Sequence, residues 1–197
     1  MYITCKGLTY AKYSSGGNGA AVAYTSGVVK DNLLARAEIA FQYAEGSDYA
    51  DGKRIAHKEK MTGVTVALEL ADLPSAVKKD LLGWASAGQG SSDLLIGGEP
   101  GAVGIGFYIW NEEPVSEDDQ WIAYWVYKAT FKAENIAVAT SNDSIAYQHQ
   151  TINGTGGGVQ LASGGDVVYA ITNDAALATE AAAIAWLKAK AGITGNT

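Results

Sequence analysis

The sequence has little cysteine and histidine, and this shortage excludes several kinds of site. Cys5 is the only cysteine among the 197 residues, so no disulfide can form within the chain. We interpret it as a small buried hydrophobic residue. His57 and His149 are the only histidines, and they lie far apart without the ligand spacing of a zinc site. The sequence therefore predicts no metal centre and no cofactor.

The sequence also lacks a targeting pattern and a long apolar run. The first eight residues, MYITCKGL, do not contain a basic segment followed by an apolar one, as a signal peptide would. No segment approaches the roughly 18 consecutive apolar residues that span a bilayer. We therefore expect the chain to fold in a reducing cytoplasm and not to be exported by a signal.

Formal charge is scarce as well. Charged residues make up 18% of the chain, below the usual quarter or so, while five tryptophans and eleven tyrosines are present. Two explanations remain open: a surface largely covered by other protein, where these aromatics are enriched, or a β-rich core. The net charge of −7 argues against ordinary binding to a phosphate backbone, which needs clustered Lys and Arg.

A strand followed by a short helix is the clearest local pattern. Between residues 62 and 70, large apolar side chains alternate with small or polar ones, as in a half-buried strand. Asp72 or Leu73 then opens a helix that has Pro74 in its first turn. Gly83 stands where a left-handed C-cap belongs. A helix this short needs to dock on a sheet, which Leu81 and Leu82 can provide.

The remaining pattern predicts a β-rich α+β protein of roughly eight strands and two helices, arranged as one domain over residues 1–197. Gly104 and Gly106 leave room for a neighbouring ring or backbone. Further strands are predicted at residues 2–13, 20–24, 33–43, 103–110, 121–131, 144–151 and 167–171, with a C-terminal helix at 176–191 that Gly192 stops.

A polar stretch over residues 44–60 separates two strands of this pattern. Asp51-Gly52 at its centre is a strong tight-turn signal. We expect a long hairpin between Leu33 and Leu70 whose outer part projects from the body as an arm. The alternative is an ordinary surface loop.

None of the other motifs predicts catalysis. No GxSxG elbow is present. The glycine runs at 16–19 and 154–158 are not followed by Gly-Lys-Ser/Thr and a helix, so we predict loops and not phosphate sites. An acidic cluster in the loop at 111–120 does not follow the EF-hand pattern. It is expected to form a solvated hairpin tip, with an inter-ring contact as an alternative. Its members are Glu112, Glu113, Glu117, Asp118 and Asp119.

Short motifs follow one another in a set order along the chain. They are Tyr49-Ala50-Asp51, Gly63-x-Thr65-x-x-Leu68 before Asp72-Leu73, Leu81-Leu82-Gly83, Gly104-x-Gly106-Phe107-Tyr108, the return strand with Trp125, Lys128 and Phe131, Ser144-Ile145-x-Tyr147-Gln148, Gly154, and Ala-x-Ala-Trp-Leu at Ala183 to Leu187. This ordered set resembles the major tail protein (tail tube) family of long, non-contractile bacteriophage tails. The similarity covers residues 7–193, and the ordered spacing is more specific than any single piece. Gly52-Lys53-Arg54 and the Gly- and Ser-rich segment 88–100 depart from the family pattern.

This resemblance implies a tail-tube-type β-sandwich or partly rolled barrel with a flanking short helix and a C-terminal helix. Six copies would close into a ring, and stacked rings would form the tube through which DNA passes without specific binding. The implied partners are further copies of the chain and other tail proteins, such as the tape measure, tail terminator and tail tip. The implied location is the virion tail, after synthesis in the bacterial host cytoplasm. No enzyme activity and no membrane contact are implied.

Physical arguments agree with such a role. An exposed sheet edge tends to pair with strands of other chains. In a closed ring, each edge pairs with the next copy, so no edge stays exposed. Carboxylates on the channel wall would repel DNA and keep it sliding. Candidates for subunit or inter-ring contact are Tyr49, Asp51, Lys53, Arg54, Glu112, Glu113 and Asp118. Candidates for the lumen, on or beside the hairpin strands, are Glu38, Glu59 and Glu69.

Two other functions remain open at this point. The first is a related tube from a contractile tail, a phage-like bacteriocin or a secretion apparatus, which would share the same fold. The second is a monomeric carbohydrate-binding β-sandwich in which Trp110, Trp121 and Trp125 form a sugar platform.

Overall fold

Antiparallel strands account for most of the chain, and the predicted β-dominated α+β class is confirmed. A computed structural model describes residues 2–51, 53–88, 93–111, 120–133, 149–162, 166–173 and 177–193. The elements within these ranges are β1 (Tyr2–Ser15), β2 (Ala23–Lys30), β3 (Leu34–Ala50), β4 (Lys53–Leu70), α1 (Ser75–Leu82), β5 (Ala85–Ser86), β6 (Leu94–Leu95), β7 (Val103–Asn111), β8 (Gln120–Ala133), β9 (Gln150–Gly156), β10 (Ala170–Thr172) and α2 (Glu180–Lys190).

One large antiparallel sheet organises the fold. Its strand order is β2-β1-β7-β8-β9-β4-β3, with β10 also paired to β8. The short strands β5 and β6 pair separately. The sheet rolls so that the start of β1 lies against the start of β3, where the Sγ of Cys5 is 3.6 Å from the carbonyl oxygen of Ala35. The result is a partly rolled barrel with an inner and an outer face.

The inner face encloses the main hydrophobic core, and α1 closes one end of it. The apolar side chains that alternate along β4 all point inward and are buried, as the period-two pattern predicted. Val77, Leu81 and Leu82 of α1 pack against them. The Tyr10 hydroxyl on β1 donates to the Asp80 carboxylate of α1 at 3.2 Å. Helix docking on the sheet thus supplies the stability that two turns alone would lack.

The outer face of β7 and β8 packs against α2. Trp125 is fully buried there, and a Cβ on Gly104 would lie 2.4 Å from its Cζ2 atom. A Cβ on Gly106 would lie 2.6 Å from its Cε3 atom and 2.7 Å from Cδ2 of Leu187 in α2. The predicted role of both glycines, room for close approach of a ring, is therefore confirmed.

Both helices end close to where the sequence predicted, but they begin later. Gly83 caps α1 in the left-handed conformation, with φ of 69°. The helix begins at Ser75 because Pro74 remains extended and serves as the N-cap. The second helix begins at Glu180, not at 176, because Thr179 caps it: its Oγ1 accepts from the backbone N–H of Ala182 at 3.2 Å.

Three strand predictions need correction. The second strand runs from Ala23 to Lys30, beyond the predicted end at residue 24. Ser26 takes a positive φ of 53°, but the pairing with β1 resumes after Ser26 and continues to Lys30. The last strand is the three-residue β10 instead of 167–171, although Val168 makes an isolated bridge to Val159. Residues 144–148 of the strand predicted at 144–151 lie outside the described residues. Its last two residues, 150 and 151, are the first two of β9.

The second glycine run, predicted as a loop, begins within β9. Gly154 and Gly156 belong to this strand because neighbouring side chains cover them. A Cβ on Gly154 would meet the Phe131 ring at 2.7 Å, and one on Gly156 would meet the Val64 side chain at 2.3 Å. The glycines therefore serve packing, and the prediction of a loop was wrong here.

Candidate functional site

The most prominent surface feature is the hairpin formed by β3 and β4. The two strands pair from Leu34 with Leu70 out to Ala50 with Lys53, which confirms the predicted long hairpin. Asp51 takes a positive φ of 50° at the tip, as a tight two-residue turn requires. Every described residue of 44–60 is exposed. We call residues 44–60 the arm.

The tip of the arm combines apolar and charged side chains. Tyr49 is 64% exposed and Ile55 is 61% exposed, although both are large and hydrophobic. Asp51, Lys53 and Arg54 stand beside them and are exposed too. Four of the predicted contact residues thus lie together at the tip. The other three, Glu112, Glu113 and Asp118, lie outside the described residues.

Charge is divided between the two strands of the arm. Three acids lie on the outgoing strand and turn, at Glu45, Asp48 and Asp51. The returning strand carries four basic residues against the single acid Glu59, and the basic residues are Lys53, Arg54, Lys58 and Lys60. The whole arm is formally neutral, so the net charge of −7 belongs to the rest of the chain.

A hydrogen-bonded network crosses the arm at His57. Its Nδ1 lies 3.0 Å from the Ser47 hydroxyl and its Nε2 lies 3.0 Å from the Glu59 carboxylate. The network was not anticipated from the sequence: Glu59 follows His57 by two residues on the same strand, whereas Ser47 meets His57 only through the hairpin register. All three are exposed. Nucleophilic catalysis would need a site that excludes water and that provides hydrogen-bond donors to an oxyanion. We therefore assign this exposed network to stabilising the hairpin.

A polar surface covers the outer side of β3, β4, β9 and the end of β8. Alternation and register place polar and small side chains there. We call this surface the polar face. Its members are Arg36, Glu38, Ala40 and Gln42 of β3, Thr65, Ala67 and Glu69 of β4, Thr151, Asn153 and Thr155 of β9, and Thr130 and Lys132 of β8.

Only two of the three lumen candidates share the polar face. Glu38 and Glu69 lie on it, and both are partnered: Arg36 contacts Glu38 at 3.0 Å and His149 contacts Glu69 at 2.9 Å. Glu59 pairs with Glu45 on the opposite side of the hairpin. Which of the three carboxylates face a lumen stays a prediction. His149, which falls within the strand predicted at 144–151, is exposed and lies just before β9.

The outer edge of β3 is open beyond its base, where the Cys5 Sγ lies 3.6 Å from the carbonyl oxygen of Ala35. Strand β3 is the last in the sheet, and no other strand within the described residues pairs with its outer edge. This edge is 17 residues long. Such a long edge is a template for another strand unless something covers or disrupts it.

An apolar groove opens beside the base of the arm. It has a volume of about 510 Å³ and lies at the end of the barrel interior away from α1. Phe41, which is 51% exposed, lies at its border. The groove is lined by Thr4 and Cys5 of β1, Ala37, Ile39 and Phe41 of β3, Phe107 and Ile109 of β7, Tyr124 of β8, and Ala170 to Thr172 of β10. None of these side chains carries a formal charge.

The three tryptophans proposed as a sugar platform do not form one. Trp110 and Trp121 face each other across the β7–β8 hairpin with their ring centroids 6.0 Å apart, as expected for residues that flank its loop. Trp125 is fully buried under α2 and cannot contact a ligand. A three-ring platform is thus excluded.

Among the described residues, no group of three or more His, Cys, Asp or Glu side chains is placed to hold a metal ion. Within the same part of the chain, neither helix is long and apolar enough to cross a membrane. No protein-family model matches the chain, and no curated protein matches it.

Proposed function

We propose that this chain is the major tube subunit of a long bacteriophage tail, a structural protein that assembles with copies of itself. The observation that carries the proposal is the combination of a β3 edge with which no described strand pairs and an arm whose described residues are all exposed. Each feature favours association with another chain. Both features on one chain favour repeated association with identical copies.

Association through the edge of β3 would give the polar face a role in a ring. If the β3 edge of each copy meets its neighbour, the polar faces of successive copies form one continuous wall, and in a hexamer six such faces enclose a channel. The small and paired side chains of this face leave no cluster of free cations to retain DNA. The arm then reaches a neighbouring subunit or the next ring.

Negative-stain electron microscopy of concentrated protein tests this proposal. We expect tubes, or stacked rings with a central channel. Single particles in the micrographs, together with a monomeric elution volume at the highest attainable concentration, would contradict it. A contractile sheath protein encoded beside this gene would instead favour a tube of the contractile kind.

A variant with a shortened arm supplies the matched control. Tyr43 and Met61 are cross-strand partners, so an Asn-Gly turn in place of residues 44–60 closes the hairpin between them. Because the residues removed are exposed, the variant is expected to unfold as cooperatively as the parent chain. We expect it to form no tubes. Equal assembly of both proteins would show that the arm is not an assembly element.

A further inference from the structure

The apolar groove and the tip of the arm are surfaces of matching apolar character. The groove is a neutral, mainly apolar cavity of about 510 Å³. The tip presents Tyr49 and Ile55, which are among the most exposed large hydrophobic residues in the described part of the chain. An exposed apolar projection and an apolar cavity elsewhere on the same molecule favour a head-to-tail contact between copies.

We propose that the groove receives the arm tip of a second copy, with Tyr49 or Ile55 as the inserted side chain. This inference rests on the proposed function, which requires contacts between copies but does not specify them. It identifies the acceptor surface for the arm, and it makes the contact heterologous: each copy donates one tip and accepts another.

The donor tip belongs to another copy because the two strands of the arm stay paired as far as the tip. Phe41 borders the groove, and Tyr49 follows it by eight residues along the same strand. At about 3.3 Å per residue, the tip lies roughly 26 Å away from the groove. The cross-strand pairing continues to Ala50 with Lys53, so the hairpin does not fold back onto its own body.

Charges around the two surfaces are complementary. Lys53 and Arg54 flank the apolar residues of the tip. A second cavity of about 430 Å³ adjoins the groove, sharing Thr4 and Cys5 with it. Asp31, Glu180 and Lys6 line that second cavity, and Lys6 pairs with Glu180 at 3.4 Å, so the lining has a net formal charge of −1. A tip inserted in the groove would therefore bring its basic residues towards acidic ones, which favours the correct orientation at the encounter.

The position of Cys5 provides a direct test. Cys5 lines the groove and is the only cysteine of the chain. A cysteine placed at the tip, as in Ile55→Cys or Tyr49→Cys, can reach it only if the tip of another copy enters the groove, because a disulfide requires Cβ atoms roughly 4 Å apart. Under mild oxidation at assembly concentration, we expect a ladder of covalent oligomers on non-reducing gels.

Two controls make the result specific. Ile96→Cys places a thiol at a residue that is 69% exposed but lies in the loop after β6. A preformed contact raises the effective local concentration of the thiols, so the tip variants should cross-link at least about tenfold more than Ile96→Cys. Adding Cys5→Ser to Ile55→Cys should remove the ladder. Equal cross-linking of Ile55→Cys and Ile96→Cys would overturn the inference, since it would indicate random collision.

The same samples, viewed by electron microscopy, separate this inference from the proposed function. Tubes without cross-links from either tip position would overturn the groove contact and leave the tube assignment standing. A cross-linked ladder without rings or tubes would support the groove contact and contradict the tube assignment. Covalent oligomers that stop at two copies would overturn the head-to-tail arrangement, because reciprocal exchange closes a dimer.

Discussion

The indole Nε1 of Trp125 donates a hydrogen bond of 3.1 Å to the phenol oxygen of Tyr24. The two rings meet edge to face, with centroids 5.4 Å apart and an interplanar angle of 84°. The Tyr24 hydroxyl in turn donates to the carbonyl oxygen of Tyr127 at 2.7 Å. One hydroxyl thus satisfies a buried donor on one side and a buried acceptor on the other, between β2 and β8.

We therefore expect Tyr24→Phe to destabilise the protein more than loss of one hydrogen bond would suggest. The variant keeps the ring but leaves the Trp125 N–H without its acceptor, which costs about 1–3 kcal/mol in the free energy of unfolding. Urea denaturation followed by tryptophan fluorescence measures the change. Tyr43→Phe, at an exposed position, should change the same free energy by less than about 0.5 kcal/mol. Equal losses of unfolding free energy in Tyr24→Phe and Tyr43→Phe would contradict the role of the Tyr24 hydroxyl as the acceptor for Trp125.

Buried tyrosines also predict a loss of stability in alkali. Burial raises the pKa of Tyr10, Tyr24, Tyr108 and Tyr127 above the ordinary value. Asp80 adds to the effect on Tyr10, and Glu180 adds to it on Tyr108. The folded protein therefore keeps these protons at a pH where the unfolded chain, with an ordinary pKa near 10, has released them. The stability is fully present below about pH 10 and falls above it.

The contribution of a single tyrosine to the pH dependence of the unfolding free energy can be measured. Each such tyrosine is expected to lower the unfolding free energy by about 1.4 kcal/mol per pH unit once it ionises only in the unfolded chain. Tyr10→Phe should flatten the curve between pH 10 and 12 by about that amount, whatever its effect at neutral pH. An unchanged slope would show that Tyr10 ionises equally in the folded and unfolded states.

Close packing at Gly106 predicts a large effect from one added methyl group. A Cβ there would lie 2.5 Å from the Tyr124 carbonyl oxygen, in addition to its contacts with Trp125 and Leu187. We expect Gly106→Ala to lower the melting temperature, with a cost of about 1–3 kcal/mol or more from overpacking. Gly101→Ala is the matched control, since nothing lies within 4 Å of a Cβ at that position. Similar melting temperatures for both variants would argue against tight packing between α2 and the sheet.

The sequence predicted those parts of the fold that depend on local pattern. Alternation along β4, the turn at Asp51 and the left-handed cap at Gly83 are each determined by near neighbours, and the structure has all three. The features that were missed depend on residues distant in sequence. Gly154 and Gly156 lie in a strand because Phe131 and Val64 cover them, and Ser47 meets His57 only through the hairpin register.

The candidate site was predictable to a similar degree. The arm and its exposed tip follow from a polar stretch around a tight-turn signal, so Tyr49, Asp51, Lys53 and Arg54 fall together as expected. The groove could not be anticipated, because it is assembled from five strands whose order in the sheet differs from their order in the chain. The separation of Glu59 from Glu38 and Glu69 depends on which face of each strand a residue occupies within the register.

The polar face yields a prediction about DNA that depends on the proposed tube. Glu38 and Glu69 are the two acids of this face and Arg36 and Lys132 are its bases, so replacing both acids with lysine removes the compensation and leaves a cationic wall. Tubes of the Glu38→Lys/Glu69→Lys variant should retain short duplex DNA in a co-sedimentation assay, and the retention should fall steeply with added salt as counterion release requires. Parent tubes should retain little.

The control for that assay must add the same charge elsewhere. Glu99 and Asp166 are exposed acids on loops outside the polar face, so Glu99→Lys/Asp166→Lys changes the net charge of the subunit by the same amount. If the polar face lines the channel, DNA held by the Glu38→Lys/Glu69→Lys tubes is enclosed and should resist a nuclease, whereas DNA held by the control tubes lies outside and should be digested. Equal digestion in both samples would place the polar face on the exterior of the tube.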